Sequence, residues 1–325
     1  MAFTLQDLLA ALGGTLNGIT QSVMSMTFGF AMLPSAFAYL VGIIGCLAFN
    51  STVPISFQAE TMAMAGCMGK TRSERLSMVL IAGLAMTALG SFGLLEDIIA
   101  FAGENVTAAM MAGVGVILAK ISIDMVRSDR KIGSISLAIG IITYFLTKSL
   151  VYTCIASILV STLIAVFFKL DSTVSSTIED EIKFQKPIIN LIVIRGVLAL
   201  MCITIGGNIA FGRISAGISG TTANVDHITI YSGLADAVSS IFGGSPISVV
   251  ISPTAAAPNP KASAVLMMAI MMVILLSKQL PKIAKHIPAS SVAGTLFILG
   301  AALTIPPNLQ AAFANSRLPA VPHLR

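Results

Sequence analysis

The chain has 325 residues, of which 56% are hydrophobic and 10% are charged, and its mean hydropathy is +0.93. Soluble domains carry about 25% charged residues, so this composition excludes a soluble enzyme, a nucleic-acid-binding protein and a disordered chain. The formal net charge of the chain is +5. In a membrane protein such an excess of Lys and Arg usually lies in short loops beside the lipid headgroups. The four cysteines are scattered without CxxC spacing, which indicates no disulfide framework and no metal site. We therefore expect a membrane protein that binds no cofactor.

Apolar runs long enough to approach the roughly 20 residues of a membrane-spanning helix recur along the whole chain. In the first part they lie near 15–32, 33–50, 75–94, 105–125, 132–149 and 150–169. In the second part they lie near 187–211, 228–243, 262–278 and 287–305. The predicted fold class is an all-α polytopic protein of the cell membrane, which inserts through its own first span.

Two apolar segments, 53–66 and 245–259, are too short for ordinary spans and are interrupted by Pro, Ser and Thr. Counting them, seven segments precede a polar stretch and five follow it. We therefore divide the chain into a first repeat (1–170), a linker (171–186), a second repeat (187–305) and a tail (306–325). The tail has four prolines and no apolar run of spanning length.

The two short segments match each other. Pro54-Ile55-Ser56 falls on Pro246-Ile247-Ser248 at an offset of 192 residues, and the same offset places Tyr39 on Tyr231. Paired, Pro-interrupted segments at matching places in two halves are the best sequence indication of a transporter binding site. Because seven crossings is an odd number, the second copy enters the membrane inverted.

The prolines of these segments suggest local structure. Pro54 and Pro246 each suit the first position of a half-helix, where the missing N–H costs nothing. We therefore expect an inverted-repeat transporter in which two short half-strand/half-helix segments cross at the midplane. The N–H groups and dipoles of the two half-helix N-termini would face a polar or anionic solute there.

At these residues the chain resembles the uracil/xanthine/ascorbate permeases, also called nucleobase:cation symporters. SGLAD at 232–236 and IFGGSP at 241–246 are similar to the family's approach to its tenth segment. HIPA at 286–289 and VAG at 292–294 are similar to the start of its twelfth segment, and 103–117 to its fifth. The resemblance implies two inverted sets of seven segments, with a substrate-holding core domain (segments 1–4 and 8–11) and a gate domain (5–7 and 12–14).

The same resemblance implies secondary active transport of a nucleobase such as xanthine or uracil, coupled to a proton or sodium ion, by a homodimer. Two departures leave alternatives open. Family members carry acidic residues on segments 8 and 10, where this chain has Thr204 and Ser252. Segments 13 and 14 are also missing from the pattern. The alternatives are therefore a transporter of a small organic or inorganic anion, and a truncated membrane protein that does not transport.

Glu60 is the sharpest candidate for a functional residue. It lies six residues after Pro54 and matches Ser252 in the repeat. An ionisable group at membrane depth costs about 2.5 kcal/mol or more and usually faces a cavity. We expect Glu60 to replace the acid that segment 10 lacks. The other expected substrate-binding residues are polar or aromatic neighbours on the short segments and on segment 8: Ser56, Phe57, Gln58, Thr61, Thr204, Asn208, Ser248, Ser252 and Thr254.

Other charged residues have simpler interpretations. Glu96, Asp97 and Glu104 precede a helix, where acids commonly stabilise the N-terminal dipole. Asp236 and Arg195 lie within apolar runs, where helix pairing or snorkelling competes with a functional role. The pattern indicates no enzyme, no metal and no nucleic-acid partner, only a small solute and the bilayer. Loop charges and family topology predict opposite membrane orientations.

Overall fold

The computed structural model describes residues 3–168, 181–284 and 287–314. The described chain is almost entirely helical. Helices of the first half are α1 (Leu5–Thr27), α2 (Ser35–Ala48), α3 (Ala59–Met68), α4 (Arg72–Ser91), α5 (Leu94–Ser128), α6 (Arg130–Thr147) and α7 (Leu150–Phe167). Helices of the second half are α8 (Leu191–Ile218), α9 (Val225–Ile241), α10 (Pro260–Leu276), α11 (Leu280–Ala284), α12 (Ala293–Phe297) and α13 (Ile305–Ala314).

Short irregular elements interrupt the second half. Three-ten turns cover Pro253–Ala256 and Ala289–Val292, and a π-helical stretch, Ile298–Thr304, joins α12 to α13. Within the described residues, five helical stretches are long and apolar enough to cross a membrane: Arg72–Ser91, Leu94–Ser128, Leu150–Phe167, Leu191–Ile218 and Ser290–Phe313. The predicted all-α polytopic class is confirmed. The predicted linker lies largely outside the described residues.

The two short segments meet in the middle of the fold. Strand β1 (Ile55–Ser56) pairs antiparallel with β2 (Ser248–Val249), and Ser56 faces Ser248. Ser56 and Ser248 are equivalent under the 192-residue offset, so this pair joins repeat-equivalent residues, and Ile55 pairs with Val249 beside it. This pairing places a two-fold relation between the repeats at the crossing.

The prediction that Pro54 and Pro246 begin half-helices is wrong. Both prolines precede a strand, α3 begins only at Ala59, and the second copy forms a four-residue three-ten turn starting at Pro253. Extended backbone is favoured here because the two copies satisfy each other's polar groups. Besides the strand pairs, Val250 N–H donates to the Pro54 carbonyl at 3.2 Å. Backbone at membrane depth that is not helical needs such partners.

Two groups of helices surround this crossing. The core helices, α1–α4 and α8–α10, pack around β1 and β2. The gate helices, α5–α7, α12 and α13, pack mainly against one another. Hydroxyl groups help to join the gate helices: Ser136 Oγ on α6 donates to the Ser291 carbonyl at 2.6 Å and contacts Ser157 Oγ on α7 at 2.8 Å.

A buried carboxylate holds the chain that leads into β2. Asp236 on α9 is buried, and its Oδ1 accepts the Ile247 backbone N–H at 2.7 Å. The contact supports the structural interpretation of Asp236. Arg195, the other charged residue of an apolar run, lies on the exposed side of α8.

This contact gives a first testable prediction. Asp236→Ala is expected to lower the free energy of unfolding by about 1–3 kcal/mol, because it leaves a buried N–H without its acceptor. Asp236→Asn keeps an oxygen at the same place and is expected to cost less. Thermal unfolding of the detergent-purified protein measures both. Equal losses in the two variants would mean that the charge, and not the hydrogen bond, is what stabilises the fold.

Candidate functional site

A cavity lies beside the crossing, between the core helices and the gate helices. The space between its lining atoms is about 540 Å³ when the part that is open to solvent is included. Its polar side chains all come from the core helices and the segment after β1: Asn17, Gln21, Gln58 and Glu60. The rest of the lining is apolar: Leu118, Ile121, Met125, Phe211, Val250, Ile251, Val292, Leu296 and Leu299. The wall on the core side therefore carries all the polar groups, and we call it the polar wall, although Phe211, Val250 and Ile251 also belong to it. The wall on the gate side is apolar throughout.

Glu60 is the one charged side chain among the described residues that line the cavity. It is the second residue of α3 and is half-buried. Its carboxylate has no hydrogen bond or ion pair with another residue in the described part of the chain. A carboxylate in a first helical turn interacts favourably with the dipole, but its oxygens remain open to the cavity.

Charged side chains on the elements packed against α3 do not neutralise Glu60. Each of them is engaged elsewhere or exposed: Asp7 binds Asn259, Arg72 donates to the Gly243 carbonyl, Glu74 accepts from Asn190, Arg75 donates to the Gly69 carbonyl, Arg213 contacts Glu96 and Arg195 is exposed. An intramembrane carboxylate in this position is a functional-site candidate by default.

Gln58 is oriented by its neighbours. Thr61 Oγ1 donates to Gln58 Oε1 at 2.9 Å and also contacts Ser248 Oγ on β2 at 3.2 Å. Because the amide oxygen already accepts a bond, the Nε2 group is the part of the carboxamide left for the cavity, and no described residue accepts from it. Asn17 is similar: its Oδ1 accepts from Gln21 at 3.3 Å, which leaves its Nδ2 donor available.

The predicted residues directly behind this wall form a buried support. Tyr39 Oη contacts Ser56 Oγ at 3.0 Å and accepts the Phe57 N–H at 3.3 Å. The Phe57 ring packs edge-on against Tyr39, with ring centroids 5.8 Å apart. Ser56, Phe57, Thr61 and Ser248 therefore lie behind the cavity wall and do not line it, and among them Thr61 orients Gln58.

Four other predicted residues lie away from the cavity lining. Asn208 Nδ2 donates to Thr229 Oγ1 at 3.0 Å and Ser232 Oγ at 3.2 Å, which joins α8 to α9. Ser252 Oγ accepts the Thr254 N–H at 3.3 Å and so caps the three-ten turn. Thr204 and Thr254 are buried.

Sequence reasoning missed Asn17, Gln21 and the apolar gate wall. The signal for the first two was present: two carboxamides four residues apart share one face of a helix, in a stretch of α1 that also carries Thr15, Thr20 and Ser22. The gate wall carried no signal, because Leu, Ile and Met at helical spacing are ordinary in a membrane protein.

The acids near the start of α5 act in helix capping. Asp226 carboxylate oxygens accept the N–H groups of Leu95 at 2.9 Å and Glu96 at 3.2 Å. Glu96 Oε1 in turn accepts the Val225 N–H at 2.7 Å. The two carboxylates therefore cap each other's helices, and the expectation for Glu96 of an N-terminal role is extended to the neighbouring helix α9.

Solved structures of other membrane proteins share this arrangement of helices. No protein-family model and no curated protein sequence matches the chain. The transmembrane domain of the cyanobacterial bicarbonate transporter BicA superposes with a TM-score of 0.61 at 13% identity, covering 97% of this chain and 91% of that one. SLC26A9 gives 0.56 at 16% identity over 97% of this chain and 61% of its own. The murine Slc26a9 anion transporter in the inward-facing state gives 0.56 at 14%, over 93% and 61%.

These likenesses establish the fold. The resemblance to nucleobase permeases is confirmed as an inverted-repeat transporter fold, while these structures give no support to nucleobase specificity. Together with the apolar helices and the antiparallel crossing of repeat-equivalent strands, they show that the chain is a multi-pass membrane protein with the fold of the BicA transmembrane domain and SLC26A9.

Proposed function

We propose that the chain is a secondary transporter that carries a small anion across the membrane together with a proton. The observation that carries the proposal is the polar wall of the cavity, where Gln58 Nε2 and Asn17 Nδ2 are available donors. N–H donors that are fixed in place by second partners suit an anion, because hydrogen bonds to charged groups are worth about 1.5–3 kcal/mol. The anion transporters of the same fold support this substrate class.

The lining of the cavity gives no support to a nucleobase as the substrate, which was the main prediction from the sequence. The positions at which nucleobase permeases carry acids hold Thr204 and Ser252, which are buried and outside the cavity lining. Two helix N-termini do not face the solute, because the second copy is a four-residue turn capped by its own Ser252. The donors for an anion are therefore side-chain amides on one wall.

Glu60 is the residue that would couple transport of the anion to a proton. An ionised carboxylate in the same cavity repels an anion, and the described residues supply it with no cation. A proton on Glu60 removes this repulsion and turns the carboxyl group into a donor. Anion and proton therefore bind together, and each raises the affinity of the other by the same factor.

Flux measurements with the purified chain in proteoliposomes test this function. The solutes are bicarbonate, chloride, sulfate and formate, with uracil and xanthine as the nucleobase arm, and each is measured with and without a pH gradient or a sodium gradient. Uptake of an anion driven by an acid exterior supports the proposal. Three results would contradict it: uptake of uracil or xanthine and of no anion, uptake driven only by a sodium gradient, or no uptake of any solute by folded protein.

Gln58 provides the matching variant. Gln58→Met keeps the length of the side chain and removes its donors, so we expect the apparent affinity for the transported anion to fall about tenfold or more, as the loss of one hydrogen bond to a charged group implies. Gln310→Met on the exposed face of α13 is the control. Unchanged affinity in Gln58→Met would show that this amide does not contact the anion.

A further inference from the structure

Helix α5 is two helices in one. The span Leu94–Ser128 is kinked at Gly103, whose backbone angles, φ 79° and ψ 163°, are not helical. This is a backbone region that only glycine occupies readily. The Thr107 hydroxyl donates to the Gly103 carbonyl at 2.9 Å and so satisfies the group next to the break. The break in the helix is therefore a stable part of the structure, in which the Gly103 carbonyl keeps a hydrogen-bond donor.

The residues before Gly103 belong with the core helices. The mutual capping of Asp226 and Glu96 ties the start of α5 to the start of α9. Glu96 also lies 3.8 Å from Arg213 Nη2 on α8. Leu95 and Ile99 pack with Ile209 and Val225 in a small apolar cluster, against which Met110 from beyond Gly103 also packs. Residues 94–102 are therefore fastened to α8 and α9.

The residues after Gly103 belong with the gate helices. Ser122 Oγ donates to the Ala293 carbonyl at 2.7 Å. The backbones at Gly115 and Gly300 approach so closely that a Cβ on Gly115 would lie 3.1 Å from the Gly300 carbonyl oxygen. Leu118, Ile121 and Met125 present the apolar wall of the cavity. Residues 104–128 are therefore fastened to the helical stretch from Ala289 to Thr304.

We propose that Gly103 is the hinge about which the gate helices move relative to the core helices. The part of α5 before Gly103 is bonded to the core helices, and the part after it is bonded to the gate helices. Gly103 itself has a backbone conformation that residues with a Cβ atom rarely adopt. A Cβ on Gly103 would meet no atom within 4 Å, so neighbouring packing does not block rotation there. Hinges of this kind are a few element-terminal residues that absorb a backbone change. The inference rests on the proposed function only in that transport needs the two units to move.

Distances between spin labels test the hinge without any measurement of transport. The exposed native cysteines Cys67 and Cys202 are first replaced by serine, whereas Cys46 and Cys154 are buried. Labels are then placed by cysteine substitution at exposed positions before the hinge (Phe101), after it (Ile117) and on core helix α4 (Leu84). We expect a single narrow distance between 84 and 101, and a broad or double distribution between 84 and 117 that shifts with pH or anion.

Each contrary pattern overturns the hinge. If the 84–101 distance changes together with the 84–117 distance, the moving unit includes residues 94–102 and the hinge lies elsewhere. If neither distance changes under any condition, Gly103 is a fixed bend. Hinge motion in a chain that moves no anion would leave this inference standing and reject the proposed function, so the two failures are distinguishable.

A pair of glycine variants gives the functional measurement. Gly103→Ala opposes the observed backbone and favours a continuous helix, so we expect the transport rate to fall at least tenfold with the affinity for the anion unchanged. Gly113→Ala, in the same helix with ordinary backbone and open space around the added Cβ, is expected to transport at the wild-type rate. A Gly103→Ala protein that is folded by size-exclusion chromatography and transports normally contradicts the hinge.

Discussion

Glu60→Gln is expected to abolish uphill accumulation of the anion in proteoliposomes. If one proton accompanies each monovalent anion, an exterior one pH unit more acidic than the interior drives about tenfold accumulation, since one pH unit corresponds to 1.36 kcal/mol. Glutamine resembles the protonated carboxyl group in shape and charge but releases no proton. The variant should therefore still exchange the anion down its gradient, at a rate that no longer depends on pH, and reach equal concentrations on the two sides.

The direction of the pH effect follows from the charge on Glu60. In the wild-type protein the form with a protonated Glu60 accepts the anion, so uptake rises as the exterior pH falls. Asp124→Asn is the control, because Asp124 is an exposed acid that contacts Arg127 at 3.4 Å. Tenfold accumulation by Glu60→Gln would place the coupling proton on another group, and loss of downhill exchange would show that the carboxyl group is needed to bind the anion itself.

Gly83→Val should have the largest effect on folding. A Cβ on Gly83 would lie 2.7 Å from the Gly233 carbonyl oxygen and 2.9 Å from Asp236 Cβ. A Cβ on Gly233 would in turn lie 2.6 Å from the Gly83 carbonyl oxygen. Helices α4 and α9 therefore touch through their backbones, and small residues at a membrane helix interface permit this approach.

Valine at position 83 must separate these two helices. Overpacking costs about 1–3 kcal/mol, and we expect a loss at or above the upper end of that range because the obstacle is backbone. Thermal unfolding in detergent and the yield of monodisperse protein measure it. Gly113→Val on exposed α5 is the control. Equal stability of Gly83→Val and the wild-type protein would mean that the α4–α9 contact is adjustable.

Two features of the architecture were predictable from the sequence: the helices, from the length of the apolar runs, and the meeting of the two short segments, from the internal repeat. Apolar runs located the helices, although the predicted starts of α1 and α5, at 15 and 105, lie well inside the helices that begin at Leu5 and Leu94. The offset of Pro54 to Pro246 predicted that the two short segments meet, but not that Ser56 pairs with Ser248. Local chemistry was harder to predict. Proline suits both a helix start and an extended segment, and only the arrival of the other repeat as a hydrogen-bonding partner decides between them. For the same reason the second half-helix was overestimated.

The site was predictable in part. Glu60 and Gln58 line the cavity as expected from polar groups at membrane depth. Asn208 was equally polar but is used between α8 and α9, a distinction that depends on which face of α8 meets Thr229 and Ser232. The break at Gly103 was invisible because one glycine inside an apolar run has several ordinary explanations, and only the backbone angles separate them.

The strands β1 and β2 cannot pair until the second of them has been synthesised. Ile55 emerges from the ribosome about 190 residues before its partner Val249, which at about 5–20 residues per second is a delay of about 10–40 s. The amides of Leu95 and Glu96 likewise precede their acceptor Asp226 by 131 and 130 residues. During this interval the first repeat sits in or near the bilayer with unpaired backbone groups. The nascent protein therefore depends on water, lipid headgroups or the insertion machinery until its second half is made.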